Sequence, residues 1–176
     1  MPMAGTTPDE RTDLPSGLGS EYAARSEHRP LGAYAILTGA FGAAMAASLI
    51  AAPKAGRPLP ERLSLTDVLL TGIATHKVSR LIAKDKVTAY LRAPFTRFQE
   101  PAGHGEVEEE PRGTGLQLAV GELLVCPYCL AQWVAGGFTA GLVYAPRVTR
   151  LLAGMWTAYA IADAAQLAYS AAEQRS

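Results

Sequence analysis

Hydrophobic residues fall into four long segments of the chain, separated by shorter polar links. The first, 31–52, lies between Pro30 and Pro53 and contains no charged residue. At about 1.5 Å per residue, a helix of this length crosses a hydrocarbon core of roughly 30 Å. A buried helix of a soluble protein rarely lacks a polar face over such a distance. This segment is therefore predicted to span a membrane.

The second segment, 65–83, is apolar in its first half and basic in its second. The Ser-Leu-Thr-Asp sequence at 64–67 is typical of a capping box that begins a helix. His76, Arg80 and Lys84 follow at intervals of four, so they share one helix face. Such a helix spans if its basic end reaches the headgroups or a polar interior. The alternative is a helix that lies in the membrane interface.

The third and fourth segments, 127–145 and 148–172, are joined by a tight link around Pro146. They are predicted to form an antiparallel helical hairpin. Asp163 lies deep in the fourth segment, and a carboxylate within lipid needs an interior partner. The expected partner is Lys77 or Arg80, in a structural ion pair, although a role in proton transfer is the alternative.

Two stretches between the second and third segments are more polar. Residues 87–98 mix aromatic side chains with arginines, a pattern typical of an interfacial segment with basic groups towards lipid phosphates. Residues 99–115 contain three consecutive glutamates and are predicted to be a flexible acidic loop. No segment alternates apolar and polar positions between turn signals, so no sheet is predicted.

These segments predict an all-α fold, an integral membrane bundle of four transmembrane helices in one domain, 31–172. Residues 1–30 lack periodicity and are predicted to be a disordered tail, and 173–176 form a short C-terminal tail. With four spans, eleven of the sixteen lysines and arginines lie on the side of the two termini. The positive-inside rule then places both termini in the cytoplasm of a multi-pass protein of the cell membrane.

Composition restricts the partners of the chain. Its sixteen acidic and sixteen basic residues balance, which argues against a nucleic-acid partner because nucleic acids need a clustered basic surface. The lipid bilayer is the predicted partner. Helices rich in glycine and alanine also favour association with copies of this chain or with another membrane protein.

The two cysteines, Cys126 and Cys129, stand at the start of the third segment, and three interpretations compete. As a dithiol at a helix start, the pair is suited to redox chemistry. As half of a tetrahedral shell, it could bind zinc or iron with His76, Asp163 or a second subunit. As a structural feature, two small polarizable side chains pack at a helix end.

The ordered combination of several short motifs resembles a known family. These motifs are His-Lys-Val-Ser-Arg-Leu-Ile at 76–82, Lys-Asp-Lys-Val-Thr at 84–88, Leu-Arg-Ala-Pro-Phe at 91–95, and Cys-Pro-Tyr-Cys at 126–129 with Trp133. Together they resemble the bacterial membrane proteins grouped as domain of unknown function 1360, over residues 63–172. The resemblance implies an integral membrane protein, with some relatives described as sporulation-associated, and it implies no activity. The positions that match the pattern are Arg80, Asp85, Arg92, Pro94, Cys126, Cys129 and Trp133.

The sequence as a whole favours a non-enzymatic membrane component whose Cys-x-x-Cys face binds a metal or a partner protein. One alternative is a membrane thiol–disulfide oxidoreductase, with Cys126 as nucleophile and Cys129 as resolving thiol. Another is a small transporter subunit that uses Asp163. Arg80, Asp85, Arg92 and Trp133 are further candidate functional residues.

Overall fold

The computed structural model describes residues 29–175, so nearly all of the predicted tail 1–30 lies outside the described residues. The described chain is mostly helical, with six helices and one small hairpin of two strands. The helices are α1 (Leu31–Lys54), α2 (Leu65–Lys84), α3 (Ala89–Arg92), α4 (Gly115–Val125), α5 (Pro127–Tyr144) and α6 (Pro146–Glu173); the strands are β1 (Thr96–Gly103) and β2 (Glu106–Pro111). The domain boundaries at 31 and 172 stay a prediction.

The four long helices lie where the apolar segments predicted them, as α1, α2, α5 and α6. The predicted cap is present, since the Ser64 hydroxyl accepts a hydrogen bond from the Asp67 amide at 3.0 Å. Pro127 and Pro146 are the first residues of α5 and α6, a position where the missing N–H costs nothing. The short helices α3 and α4 were not predicted.

The prediction of no sheet is wrong. β1 and β2 pair antiparallel, from Thr96 opposite Pro111 to Gly103 opposite Glu106. Residues 103–105 turn the chain with positive φ angles, which the two glycines there adopt at no steric cost. The hairpin escapes a search for alternating hydrophobicity because only Thr96 and Val107 of its residues are buried.

α2 lies against both α5 and α6, while α1 packs on α4 and α5, and α4 also covers β2. Small residues allow these close approaches. A Cβ added at Gly136 would lie 2.9 Å from the Phe41 ring of α1, and one at Gly121 would lie 2.6 Å from the Phe95 carbonyl oxygen. Glycine therefore allows the close approach of α5 to α1 and of α4 to the backbone at Phe95, just before β1.

Four transmembrane helices were predicted, and the structure supports one or two. Within residues 29–175, only α1 is both long and apolar enough to cross a membrane by itself. α4 and α5 qualify as a pair if they form one broken span, bent by 85° at Cys126. α2 and α6 carry charged side chains, including Lys77 and Asp163, which reduce their apolar character.

Candidate functional site

The two cysteines lie at the bend between α4 and α5. Cys126 is the N-cap of α5, and its Sγ accepts a hydrogen bond from the Cys129 amide at 3.2 Å. The two residues are paired as a disulfide across one helical turn, with Cα atoms 5.3 Å apart. In the reduced pair, the free amides and the positive end of the α5 dipole stabilise a thiolate at Cys126.

Both cysteines line a cleft of about 570 Å³ between α1, α4 and α5, which we call the cysteine cleft. Its apolar wall includes Leu37 and Phe41 of α1 and Trp133 of α5. The Phe41 and Trp133 rings meet edge to face, with centroids 5.3 Å apart. Trp133, a candidate from the sequence, therefore lies beside the cysteines.

Sequence reasoning missed the polar part of the cysteine cleft. Glu122 of α4 and Gln132 of α5 both line it. The Tyr34 hydroxyl of α1 donates to the Glu122 carboxylate at 2.5 Å, which joins the first helix to the fourth. A single carboxylate within the otherwise uncharged sequence of α4 was the signal that could have identified this site.

The other side of the cysteine pair faces outwards. Tyr128, between the two cysteines, is 90% exposed, and Cys129 is exposed as well. The pair is thus accessible both from the cleft and from outside the protein.

Asp163 forms an ion pair with Lys77, one of its two predicted partners. The Lys77 ammonium also lies over the Tyr159 ring, 4.1 Å from its centroid. A cation held by a carboxylate and an aromatic face is compensated inside the bundle. This arrangement supports the structural interpretation of Asp163.

The three-glutamate stretch is strand β2, so the prediction of a flexible loop is wrong. Arg80 donates two hydrogen bonds to Glu106, at 2.6 and 2.8 Å, and Lys84 donates to Glu108 at 2.7 Å. Arg80 and Lys84 are four residues apart on α2, a rise of about 6 Å, and Glu106 and Glu108 are two residues apart on β2, a rise of about 6.6 Å. The spacing of the two cations therefore matches the spacing of the two carboxylates. The basic face of α2 is therefore neutralised by the hairpin.

Arg92 was predicted to face lipid phosphates but is fully buried. Its Nε and Nη2 donate to Glu109, at 2.8 and 3.1 Å. Its remaining N–H groups donate to the Ile82 and Asp85 carbonyls and to the Thr88 hydroxyl. Arg92 thus uses all five donors and joins the end of α2 to β2. We call these contacts, with the Arg80–Glu106 and Lys84–Glu108 pairs, the ion-pair cap.

The surroundings of two carboxyl groups in this region shift their pKa values in opposite directions. Burial acts to raise the pKa of Glu109, but hydrogen bonds from Arg92 and Thr96 outweigh it and hold the pKa below its usual value. Burial raises the pKa of Asp85, the Lys77 charge opposes this, and the Glu106 charge adds to it. Asp85, another candidate, thus accepts a hydrogen bond from Arg92 at its backbone carbonyl, while the pKa of its carboxyl group is raised.

His76 is exposed on α2. In the part of the chain that the structure describes, no three His, Cys, Asp or Glu side chains are grouped as a metal site. A zinc or iron site formed by Cys126, Cys129 and His76 stays a prediction.

Two proteins of Bacillus subtilis (strain 168) are similar to this chain. UPF0713 protein YngL is 28% identical over 91 residues, 50% of this chain and 66% of YngL. Sporulation protein YjcA is 37% identical over 75 residues, 41% of this chain and 63% of YjcA. The chain therefore spans slightly less than two thirds of each relative, and no solved structure matches it.

A family model described as "Protein of unknown function (DUF1360)" matches residues 70–169, which is more than half of the chain. The matched range contains most of α2, the ion-pair cap, the cysteines and most of α6. The chain belongs to the DUF1360 family.

Proposed function

We propose that this protein is a membrane-embedded thiol–disulfide exchange protein whose reactive pair is Cys126 and Cys129. The observation that carries the chemistry is the placement of the pair: both cysteines are joined at a helix start and border a cleft, Cys126 is half-buried, and Cys129 is exposed. Thiol–disulfide exchange needs an accessible sulfur stabilised as a thiolate and a second sulfur within reach.

The distribution of side chains supports the membrane part of the proposal. Six of the eight buried hydrophobic residues in the described chain are alanine, and buried polar residues such as Lys77 and Arg92 lie among them. The large apolar side chains point outwards instead, among them Ile36, Leu49, Ile50, Leu69, Ile73, Leu151, Ile161 and Leu167. Exposing these side chains to water costs about 25 cal/mol for each Å² of apolar surface, whereas exposing them to lipid removes this cost.

The same argument extends the proposal from α1 to the other long helices. α2 and α6 expose apolar residues outwards and keep the ion pair of Lys77 and Asp163 inside. Charged groups of a transmembrane bundle are expected to face its interior in this way. We therefore propose a multi-pass protein of the cell membrane with α1, α2, α5 and α6 in the bilayer and both termini in the cytoplasm.

In the proposed reaction, the reduced protein attacks a disulfide of a partner. The Cys126 thiolate forms a bond to one partner sulfur, and the other partner sulfur leaves as a thiolate. Cys129 then loses its proton and attacks Cys126 Sγ, which releases the second partner thiolate. The protein ends as the disulfide and the partner as the dithiol, and the reverse sequence oxidises a partner.

The test uses purified protein in detergent, reduced without oxygen and then exposed to oxidised glutathione. Cys129→Ser should accumulate a glutathione adduct on Cys126, because no second thiol resolves it. Cys126→Ser should react several-fold more slowly because Cys129 lacks the capping contact. Intact-mass spectrometry measures both, with Cys126→Ser/Cys129→Ser as the blank. Equal rates in the two single variants, or no adduct in either, would refute the proposal.

A second candidate is binding of a partner protein at the cysteine face without redox chemistry. The 90% exposure of Tyr128 favours it, because exposed tyrosines are common anchors of protein interfaces. Under this alternative, Cys126→Ser/Cys129→Ser keeps the function in cells whereas Tyr128→Ala abolishes it. Under thiol–disulfide exchange, the double cysteine variant loses the function.

A further inference from the structure

We propose that the cysteine cleft binds a quinone, which accepts the electrons of the reduced Cys126–Cys129 pair. This inference rests on the proposed thiol function and names the second substrate of the same site. Three features of the cleft support it: its access from lipid, its aromatic and polar lining, and its contact with both cysteines.

The helix that forms one wall of the cysteine cleft supports access to the cleft from lipid. One wall is α1, the most membrane-like helix of the described chain, of which little is buried. Leu37 and Phe41 are on this wall, while Ile36 beside them is 58% exposed on the outer surface. A molecule dissolved in the bilayer therefore meets the helix that borders the cleft without crossing water.

The size and lining suit a flat, amphipathic ring. A volume of about 570 Å³ lies within the range of roughly 300–1,000 Å³ that small-molecule sites occupy. Phe41 and Trp133 provide aromatic surfaces on which a ring can stack. Gln132 lines the cleft and has no side-chain hydrogen bond within residues 29–175, so its amide N–H groups are available to a quinone carbonyl.

The chemistry balances without a further reactant. The two cysteine thiols lose two protons and two electrons, and the Cys126–Cys129 disulfide forms. The quinone ring gains the two electrons, and each of its two carbonyl oxygens gains one proton to give the quinol. Among lipid-soluble compounds, quinones carry this combination of two electrons and two protons, whereas an aliphatic lipid in the same cleft could accept neither.

The experiment uses the full chain in detergent, reduced without oxygen and freed of reductant, with decylubiquinone as probe. This quinone is fully substituted, so thiols have no free ring position for addition. We expect one quinol per disulfide formed, followed by absorbance and by intact mass. Cys126→Ser/Cys129→Ser should form none.

A matched pair of variants on α1 tests the site itself. Leu37→Trp fills the cleft and should slow the oxidation roughly a hundredfold, the loss typical when reacting groups are displaced by about an ångström. Ile36→Trp adds the same side chain on the outer surface and should react as the wild type does. For each variant, the quinone rate is compared with its own rate with oxidised glutathione, so that a general loss of thiol reactivity is distinguished from a loss of quinone binding. If Leu37→Trp does not fold, Gln132→Leu replaces it and should raise the half-saturating quinone concentration.

The outcomes separate the inference from the proposed function. Wild-type protein that reacts with oxidised glutathione but not with the quinone would overturn the inference and leave thiol exchange intact. Equal quinone rates in wild type and Leu37→Trp would overturn the cleft as the binding site. No reaction with either reagent would overturn both.

Discussion

The ion-pair cap and the cysteine cleft differ in how completely their polar side chains are paired. In the cap, Arg80, Lys84 and Arg92 each have a glutamate partner, and Arg92 uses every donor it has. In the cleft, Glu122 accepts a hydrogen bond from the Tyr34 hydroxyl, and Glu122 and Gln132 border open space beside the Cys126–Cys129 pair. Saturated polar groups make a rigid support, whereas polar groups around a cavity leave capacity for a ligand. We therefore propose a stabilising role for the cap and a ligand-binding role for the cleft.

The largest expected loss of stability is that of removing the Arg92 side chain from the ion-pair cap. Arg92→Ala leaves the Glu109 carboxylate buried without its cation and removes one donor each from the Ile82 and Asp85 carbonyls. We expect the free energy of unfolding to fall by about 3–5 kcal/mol, the typical cost of breaking a buried pair. Thermal unfolding in detergent measures this, with Arg97→Ala on the exposed surface of β1 as control. Equal stability of the two variants would contradict a supporting role for the cap.

A smaller effect is expected from the contact that closes one side of the cleft. Gly136→Ala places a methyl group 2.9 Å from the Phe41 ring, and such overpacking costs about 1–3 kcal/mol. Gly137→Ala, where nothing lies within 4 Å, should be neutral or stabilising by roughly 0.5–1 kcal/mol, because alanine favours helix. Chemical unfolding distinguishes the two. A reversed order would show that α1 does not pack on α5 as described.

The pH dependence of stability sharpens the comparison within the cap. Because the pKa of Glu109 is lowered in the folded state, its contribution is present above the unfolded pKa of 4.5 and is lost as the pH falls through the folded pKa. Asp85 has the opposite sign, since its raised pKa makes the folded state less stable once the group ionises. Glu109→Gln should therefore reduce the fall in unfolding free energy as the pH is lowered into the acid range. Asp85→Asn should reduce the fall in unfolding free energy as the pH rises from acid towards neutral. Unfolding midpoints at several pH values test both.

The smallest change in stability is expected from the pair whose cation is most exposed, Arg80–Glu106. Arg80 is about half exposed, so its pair with Glu106 is worth about 0.2–1 kcal/mol. Arg80→Glu should destabilise slightly, and adding Glu106→Arg should restore stability in low salt. The coupling should shrink as salt is added, because surface charges are screened. A coupling that does not change with salt would indicate a pair less solvated than described.

Much of the helical framework was predictable because it depends on local sequence. Charge-free stretches located α1 and α5, the Ser64 cap fixed the start of α2, and Pro127 marked the start of α5. The fourth segment was predicted from 148, whereas α6 begins at Pro146, which had been assigned to the link. The ion pair of Lys77 and Asp163 was predictable because a carboxylate within a long apolar segment needs a cation. These inferences need no knowledge of distant contacts.

The ion-pair cap was not predictable by the same means. A glutamate run indicates a solvated loop unless it is known to face cations, and here Glu106 lies 26 residues from Arg80. Arg92, among aromatic residues, resembled an interfacial anchor because its buried acceptors come from α2 and β2. The cleft was missed for a similar reason, since Tyr34 and Glu122 are 88 residues apart. Long-range partners, rather than propensities, decide these regions.

The match between helix and strand spacing in the cap has a consequence for how relatives can differ in length. Glu106 and Glu108 pair with Arg80 and Lys84 of α2, and Glu109 pairs with Arg92 of α3. One residue inserted among these glutamates would therefore displace every later partner. The hairpin tip near His104, where the chain only reverses, carries no such constraint. We therefore expect insertions and deletions among DUF1360 proteins to collect at the tip and to be absent from β2.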